Sequence, residues 1–245
     1  MKSTRLAIFD IDGTIFRSSL VIELTNALVA HGIFPPAARQ EIEHDYTSWL
    51  NRRGTYESYI RQVVRVYRTY VVGQQELDIA AATDSVIREH KDKLYRFTRD
   101  LMRQLRAEGW FLLALSGSPA LIVTKFAGAI GFADFRGNGY RTEGGIITAT
   151  DDFASKKELL HQFLADNPRL SMEGSLVIGD TEGDIPILEE AGRAIAFNPN
   201  YTLAAHAMKH GWDIIVERKD VMYDMKRSSL ITDPAAYVSM PIPTL

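Results

Sequence analysis

The sequence predicts an α/β protein: a doubly wound, mostly parallel, Rossmann-like sheet core with an inserted α-helical cap domain. Three observations predict it. Short apolar runs stop at Asp and Gly, helical patterns alternate with those runs, and one long stretch near the N-terminus is helical throughout.

The first apolar run is Leu6–Phe9, which leads into Asp10-Ile11-Asp12-Gly13-Thr14. From about Phe16 to Lys91 no strand pattern occurs. Helical spacing recurs there over Leu20–His31, Ala38–Asn51, Tyr56–Tyr70 and Gln75–Glu89. A crossover between parallel strands needs only about a dozen residues. A stretch this long therefore reads as an insertion over the carboxyl edge of the sheet. The expected division is a core of residues 1–16 and 92–245 with a cap of residues 17–91. Phe97–Glu108 follows as a helix with Leu101 and Leu105 on one face, and Phe111–Leu115 as the next strand. Tyr140–Ala149 alternates around Glu143-Gly144-Gly145 and reads as a hairpin. Lys156–Leu164 has helical spacing, Leu176–Ile178 and Ala194–Phe197 are core strands, and Asp213–Val216 is a weaker one. Pro241 and Pro243 make Met240–Leu245 an extended tail.

Composition narrows the function classes. The chain has 245 residues, 46% hydrophobic and 24% charged, enough for a full-sized core. A net charge of -3 gives no nucleic-acid or acidic-lipid surface. There are no cysteines, so disulfides, thiolate metal sites and a Cys nucleophile are excluded. No window approaches the roughly 18–20 continuous apolar residues of a membrane helix. Met1-Lys2 leads directly into a strand, so the expected compartment is the cytoplasm. The oligomeric state is not legible in the sequence.

Two acid pairs carry the chemistry. Asp10 and Asp12 stand at the end of the first strand; Asp180 and Asp184 follow Leu176-Val177-Ile178-Gly179 at the end of another. Ligands of parallel α/β sheets bind outside the carboxyl ends of the strands. Four acids gathered there repel one another unless a divalent cation sits among them. Either pair alone could be loop punctuation, since Asp-Gly is a common turn and Asp a good N-cap, although Asp-x-Asp-Gly-Thr is the rarer of the two patterns. Ser116 alone reads as an N-cap, and Lys156 as a solvated surface lysine.

In combination these residues resemble the haloacid dehalogenase-like hydrolases, most of which are magnesium-dependent phosphatases. Asp10-x-Asp12-Gly13-Thr14 resembles motif I, Ser116 in Leu115-Ser116-Gly117-Ser118 motif II, Lys156 motif III, and Gly179-Asp180-x-x-x-Asp184 motif IV. The helical insertion between the first two is similar to the phosphoserine phosphatase-like branch, subfamily IB. The resemblance implies that Asp10 is the nucleophile and forms an aspartyl-phosphate, and that Asp12 is the general acid and base. Mg²⁺ would be held by the carboxylates of Asp10 and Asp180 and the main-chain carbonyl of Asp12. Asp184 would ligate the ion or hold a water on it. Ser116, Gly117 and Lys156 would bind the phosphoryl oxygens, with Gly117 letting the backbone turn toward them. Thr14 either caps the next helix or orients a carboxylate. Lys157 is adjacent to Lys156; the spacing to Glu158-Leu159-Leu160 favours Lys156.

The expected activity is hydrolysis of a small phosphorylated metabolite. The alternatives are phosphoryl transfer or a phosphomutase reaction through the same intermediate, or a non-catalytic phosphate-binding module. Phosphoserine phosphatases usually carry a Glu seven residues after the second motif I aspartate. That position is Ser19 here, and the nearest acid is Glu23. The insertion is rich in aromatics and arginines, including Trp49, Tyr56, Tyr59, Arg52 and Arg53. Packing of the insertion explains them, as does an aromatic cage for a quaternary ammonium. Arg52 or Arg53 could instead read a second anionic group.

Overall fold

The computed structural model describes residues 4–151 and 155–225. The expected tail, Met240–Leu245, lies outside the described residues. The chain runs β1 (Leu6–Asp10), α1 (Leu20–Ala30), α2 (Pro36–Leu50), α3 (Tyr56–Val71), α4 (Glu76–His90) and α5 (Arg96–Ala107). It continues with β2 (Phe111–Pro119), α6 (Ala120–Ile130), β3 (Asp134–Asn138), β4 (Tyr140–Glu143), β5 (Ile146–Thr150) and α7 (Lys156–Asp166). It closes with β6 (Leu176–Gly179), a 3-10 turn at Glu182–Asp184, α8 (Ile185–Leu188), β7 (Arg193–Phe197), α9 (Tyr201–His210), β8 (Asp213–Arg218) and β9 (Val221–Asp224).

Seven strands form one sheet in the order β3-β2-β1-β6-β7-β8-β9, parallel throughout except for the β8–β9 pair. After β1 the chain builds outward through β2 and β3, then returns to the other side of β1 with β6. The order therefore reverses beside β1, at the position where α/β sheets bind their ligands. Alternation along β1 separates two cores. Ala7 and Phe9 pack with α5 and α6 residues such as Met102 and Phe126, whereas Leu6 and Ile8 pack with Leu160, Phe163 and Leu203 of α7 and α9. Helices therefore cover both faces, which is why the central strands are apolar on every residue.

Helices α1 to α4 form the segment between β1 and α5. The chain leaves and returns through neighbouring extended stretches: Arg17 N–H donates to Lys93 O at 2.9 Å and Tyr95 N–H to Ile15 O at 3.0 Å. Leu20, Leu24 and Leu28 of α1 give this segment an apolar stripe, met by Val63, Val66, Ile79 and Phe34. The β4–β5 hairpin, turned by Gly144 and Gly145, braces it from the side: Gly73 N–H donates to Ile147 O at 2.8 Å, and Glu76 N–H to Gly145 O at 2.8 Å.

Three strand readings need correction. β2 does not stop at Leu115 but runs on to Pro119, because the chain resumes pairing with β3 at Pro119–Asn138 after an irregularity. β3 itself was not anticipated; its Asp-Phe-Arg-Gly-Asn sequence has one apolar residue and takes its form from pairing with β2. β9 is an added antiparallel edge strand with Val221, Met222 and Tyr223 exposed. No helix among the described residues is long and apolar enough to cross a membrane.

Phe16 is fully buried where the helical segment meets the core, against Phe126 (ring centroids 5.2 Å apart) and His90. Phe16→Ala is expected to lower the unfolding free energy by about 3–5 kcal/mol, the cost of an aromatic-to-alanine cavity. Chemical denaturation measures this, and a loss under about 1 kcal/mol would contradict the packing described.

Candidate active site

The site is assembled by strand ends and two close backbone approaches. Asp10 is the last residue of β1, and the chain then turns back so that the Thr14, Ile15 and Phe16 amides all point at the Ile11 carbonyl. Gly13 carries φ +82°, and a Cβ there would lie 2.0 Å from Asp180 Oδ2, so only glycine allows the motif to approach β6. Gly179, the last residue of β6, likewise leaves room for Asp184, whose Cγ would be 2.4 Å from an added Cβ. Lys156 is the first residue of α7, whose start is fixed by a capping box: Ser155 Oγ accepts from Glu158 N–H at 3.2 Å and Glu158 Oε2 from Ser155 N–H at 2.7 Å.

The Lys156 ammonium donates to Asp10 Oδ1 and Asp184 Oδ1, each at 2.5 Å. Lys157 points elsewhere, to Glu190 at 2.8 Å on the surface. Asp184 is fully buried, and its Oδ2 accepts the Asp180 and Thr181 amides, both at 3.1 Å, which locks the loop after β6. Thr14 is buried and does not cap α1; its Oγ1 approaches Asp180 Oδ1 at 3.4 Å. Asp10 Oδ2 is buried and has no hydrogen-bond partner among the described residues.

Burial pushes the Asp10 carboxyl up to about 7; Lys156 pulls it down, while Asp184 and Asp12 add to the rise. Burial also raises the Asp180 carboxyl well above its ordinary range, reinforced by Asp10 and Asp184 and opposed by Lys156. Burial works against the Lys156 charge, but Asp10 and Asp184 outweigh it and hold the ammonium firmly protonated. Carboxylate oxygens of Asp10, Asp180 and Asp184 lie within 4.8 Å of one another. Three acids against one ammonium leave this edge short of positive charge. An all-oxygen donor set with an orphaned, buried Asp10 oxygen fits a hard divalent cation.

Asp12 turns its carboxylate to a different set of partners. Its Oδ1 accepts the Leu20 amide at 2.5 Å, and its Oδ2 accepts the hydroxyls of Ser116 at 2.6 Å and Ser118 at 2.9 Å. Ser19, at the N-cap of α1, makes no side-chain cap bond, so Asp12 of the preceding loop serves that helix end. Ser116 is not an N-cap; it lies inside β2, four residues before α6, and its Oγ also accepts the Ser118 amide at 2.9 Å. Ser118 was not singled out in the sequence. Its hydroxyl also accepts the Val21 amide at 3.1 Å, joining β2 to α1. Gly117 differs from expectation. It continues the strand without a left-handed φ, and nothing lies within 4 Å of an added Cβ, so neither strain nor crowding demands glycine there.

A cleft of about 730 Å³ opens from Gly13 and Asp180 toward the helical segment. Trp49 of α2 and Tyr56 and Tyr59 of α3 line its far side. Thr55 caps α3 through the Ser58 amide at 3.1 Å, which sets Tyr56 at the first helical position. Burial raises the Tyr56 phenol above its ordinary range, followed by the negative charges of Asp12 and Asp180, so it stays a neutral donor beside the acids. Arg52 and Arg53 sit in the exposed α2–α3 turn and are not cleft residues; the arginines lining the cleft are Arg17 and Arg39. Ser19 is buried outside the cleft, whereas Glu23 lines it and accepts the Ser18 hydroxyl at 2.6 Å.

The chain is 22% identical over 227 residues to phosphoserine phosphatase SerB1 of Mycobacterium tuberculosis, covering 86% of this chain and 70% of that protein. A Bordetella pertussis Tohama I protein of unknown function shares the fold with a TM-score of 0.70 at 22% identity, over 87% of this chain and 98% of the other. A phosphoserine phosphatase solved as a phospho-aspartyl intermediate analogue superposes with a TM-score of 0.58 at 18% identity, over 89% and 96% of the two chains. The family profile of haloacid dehalogenase-like hydrolases matches residues 7–189, from β1 through the end of α8 and thus through all four acids. The chain belongs to the haloacid dehalogenase-like hydrolases.

Proposed function

We propose that this protein is a Mg²⁺-dependent phosphomonoesterase acting on a small phosphorylated metabolite in the cytoplasm, through an aspartyl-phosphate formed on Asp10. The observation that carries the proposal is the convergence of Lys156, Asp10, Asp184 and Asp180 at one sheet edge, with Asp12 held beside them. Membership of a hydrolase family and similarity to phosphoserine phosphatases support it.

Asp10 and Asp180 would hold the ion through their carboxylates and Asp12 through its main-chain carbonyl. When bound, Mg²⁺ supplies positive charge that lets an anionic carboxylate approach an anionic phosphoryl group. Lys156 supplies the remaining positive charge and fixes Asp10 in place. An Asp10 oxygen attacks phosphorus, and the bond to the leaving oxygen breaks. Asp12 gives its proton to that departing alkoxide, then takes one from the water that attacks the aspartyl-phosphate and releases phosphate. Ser116 re-aims its hydroxyl from Asp12 to a phosphoryl oxygen, with the Gly117 backbone alongside. Asp184 acts through Lys156 and the Asp180 and Thr181 amides as a positioning residue. The helices within 17–91 would act as a cap that closes the cleft over the substrate and limits it to small esters.

Hydrolysis of p-nitrophenyl phosphate by the purified protein should require Mg²⁺ and stop with excess EDTA. Asp10→Asn should reduce turnover on the order of 10³-fold or more, as removal of a nucleophile does; a variant retaining a tenth of wild-type activity would contradict its role. Lys156→Ala should lower kcat roughly 10²–10³-fold, whereas Lys157→Ala should stay within about twofold of wild type, its partner being Glu190 on the surface. Mg²⁺ at roughly 100 times Kd should also stabilise the fold by about 2.7 kcal/mol and so raise the melting temperature. Calorimetry with and without EDTA measures this, and Asp180→Asn should abolish the Mg²⁺-dependent shift.

A further inference from the structure

The wall of the cleft opposite the acids is aromatic and continuous. Trp49 and Tyr59 stack at 5.5 Å with their planes 10° apart; Tyr56 meets Trp49 edge-on at 5.4 Å, and Tyr46 lies 5.3 Å from Tyr59. Ile22 of α1 and Ile42 of α2 extend the same surface. These centroid distances are those of rings in direct contact. Only Trp49 and Tyr59 are parallel; Tyr46 and Tyr56 meet them at 49–72°, so the four rings pack on one another as an angled aromatic wall. Glu23, the acid nearest the usual ammonium-reading position, already accepts the Ser18 hydroxyl and lies 3.8 Å from His90.

The cleft is also larger than a phosphorylated amino acid requires. Its volume of about 730 Å³ falls in the range that takes drug-sized ligands. Gly13 and Asp180 line its floor, so a phosphoryl group seated over the acids directs its leaving group along the aromatic face.

We propose that the leaving group of the natural substrate carries an apolar ring that packs on the wall formed by Tyr46, Trp49, Tyr56 and Tyr59. This specificity rests on the phosphatase activity proposed above. Tyr59 is buried and fixes the stack, Tyr46 is 37% exposed at the mouth, and Tyr56 joins the wall to the acids. Burial of one ring face against such a surface favours the ring-bearing ester without any charge on the leaving group.

The test compares n-propyl phosphate with 3-phenylpropyl phosphate, whose leaving alcohols are nearly equal in basicity and differ by one ring. With Mg²⁺, wild-type kcat/KM should be about tenfold or more higher for the phenyl ester, the ratio that burial of a phenyl ring supports. Trp49→Ala should bring that ratio to within about threefold of unity. Tyr46→Ala, at a more exposed position, should lower it in the same direction and serves if Trp49→Ala does not fold. Leu77→Ala, on an 80% exposed residue away from the cleft, should leave the ratio unchanged. Equal kcat/KM for the two esters, or a ratio insensitive to both wall substitutions, would overturn the proposal while leaving the phosphatase activity standing. Faster hydrolysis of phosphocholine than of the phenyl ester would overturn it in favour of a cationic leaving group. No hydrolysis of any ester, p-nitrophenyl phosphate included, would overturn the phosphatase activity and the specificity with it.

Discussion

The ammonium of Lys156, set between Asp10 and Asp184, is the interaction on which the rest of the site depends. Buried acids at neighbouring strand ends destabilise one another, and burial alone pushes Asp10 and Asp180 toward their protonated forms. One fixed cation offsets part of that charge and spends its hydrogen bonds on two of the three clustered acids. What remains is an edge that is still too negative, with one Asp10 oxygen unpartnered among the described residues. That residual deficit is what suits the edge to a divalent cation and an anionic substrate together. The capping box at Ser155 and Glu158 matters because it decides which of two adjacent lysines starts α7 on the inward side.

Asp12 links this chemistry to the helical segment. Its carboxylate accepts the first amide of α1 and two hydroxyls from β2, so three parts of the chain meet at one side chain. Ser118 strengthens the same joint through the Val21 amide. The residue proposed as general acid and base thereby contacts the first turn of α1. The hairpin β4–β5 holds the far side of the helical segment, and the paired stretches around Phe16 and Leu94 hold its base.

Much of this was legible in the sequence because the signals are local. Apolar runs that stop at Asp and Gly gave the central strands, and helical spacing gave four helices between β1 and α5 within a few residues of their observed ends. Gly13 and Gly179 were visible as motif residues; their reason, room for Asp180 and Asp184, is a contact between strands and needed coordinates. The same holds for Ser118, whose partners lie about a hundred positions away in the chain. β3 carries too little apolar pattern to announce itself, and Ser116 was open to a capping role because the extension of β2 to Pro119 depends on that unseen neighbour. The choice between Lys156 and Lys157 could have been sharpened from sequence, since Ser155-x-x-Glu158 is a capping-box pattern that makes Lys156 the first helical residue. The aromatic residues of the insertion were evident, but their arrangement as a contiguous wall follows from packing of α2 on α3.

The central claim is that Asp10 is a nucleophile working beside a metal held by the neighbouring acids. Fluorine NMR of the protein with beryllium fluoride, an acyl-phosphate mimic, tests both halves at once. The account predicts a bound fluorine signal that needs Mg²⁺, disappears with EDTA and is absent from Asp10→Asn. A bound signal that persists in Asp10→Asn, or none in folded wild-type protein with Mg²⁺ present, would contradict it.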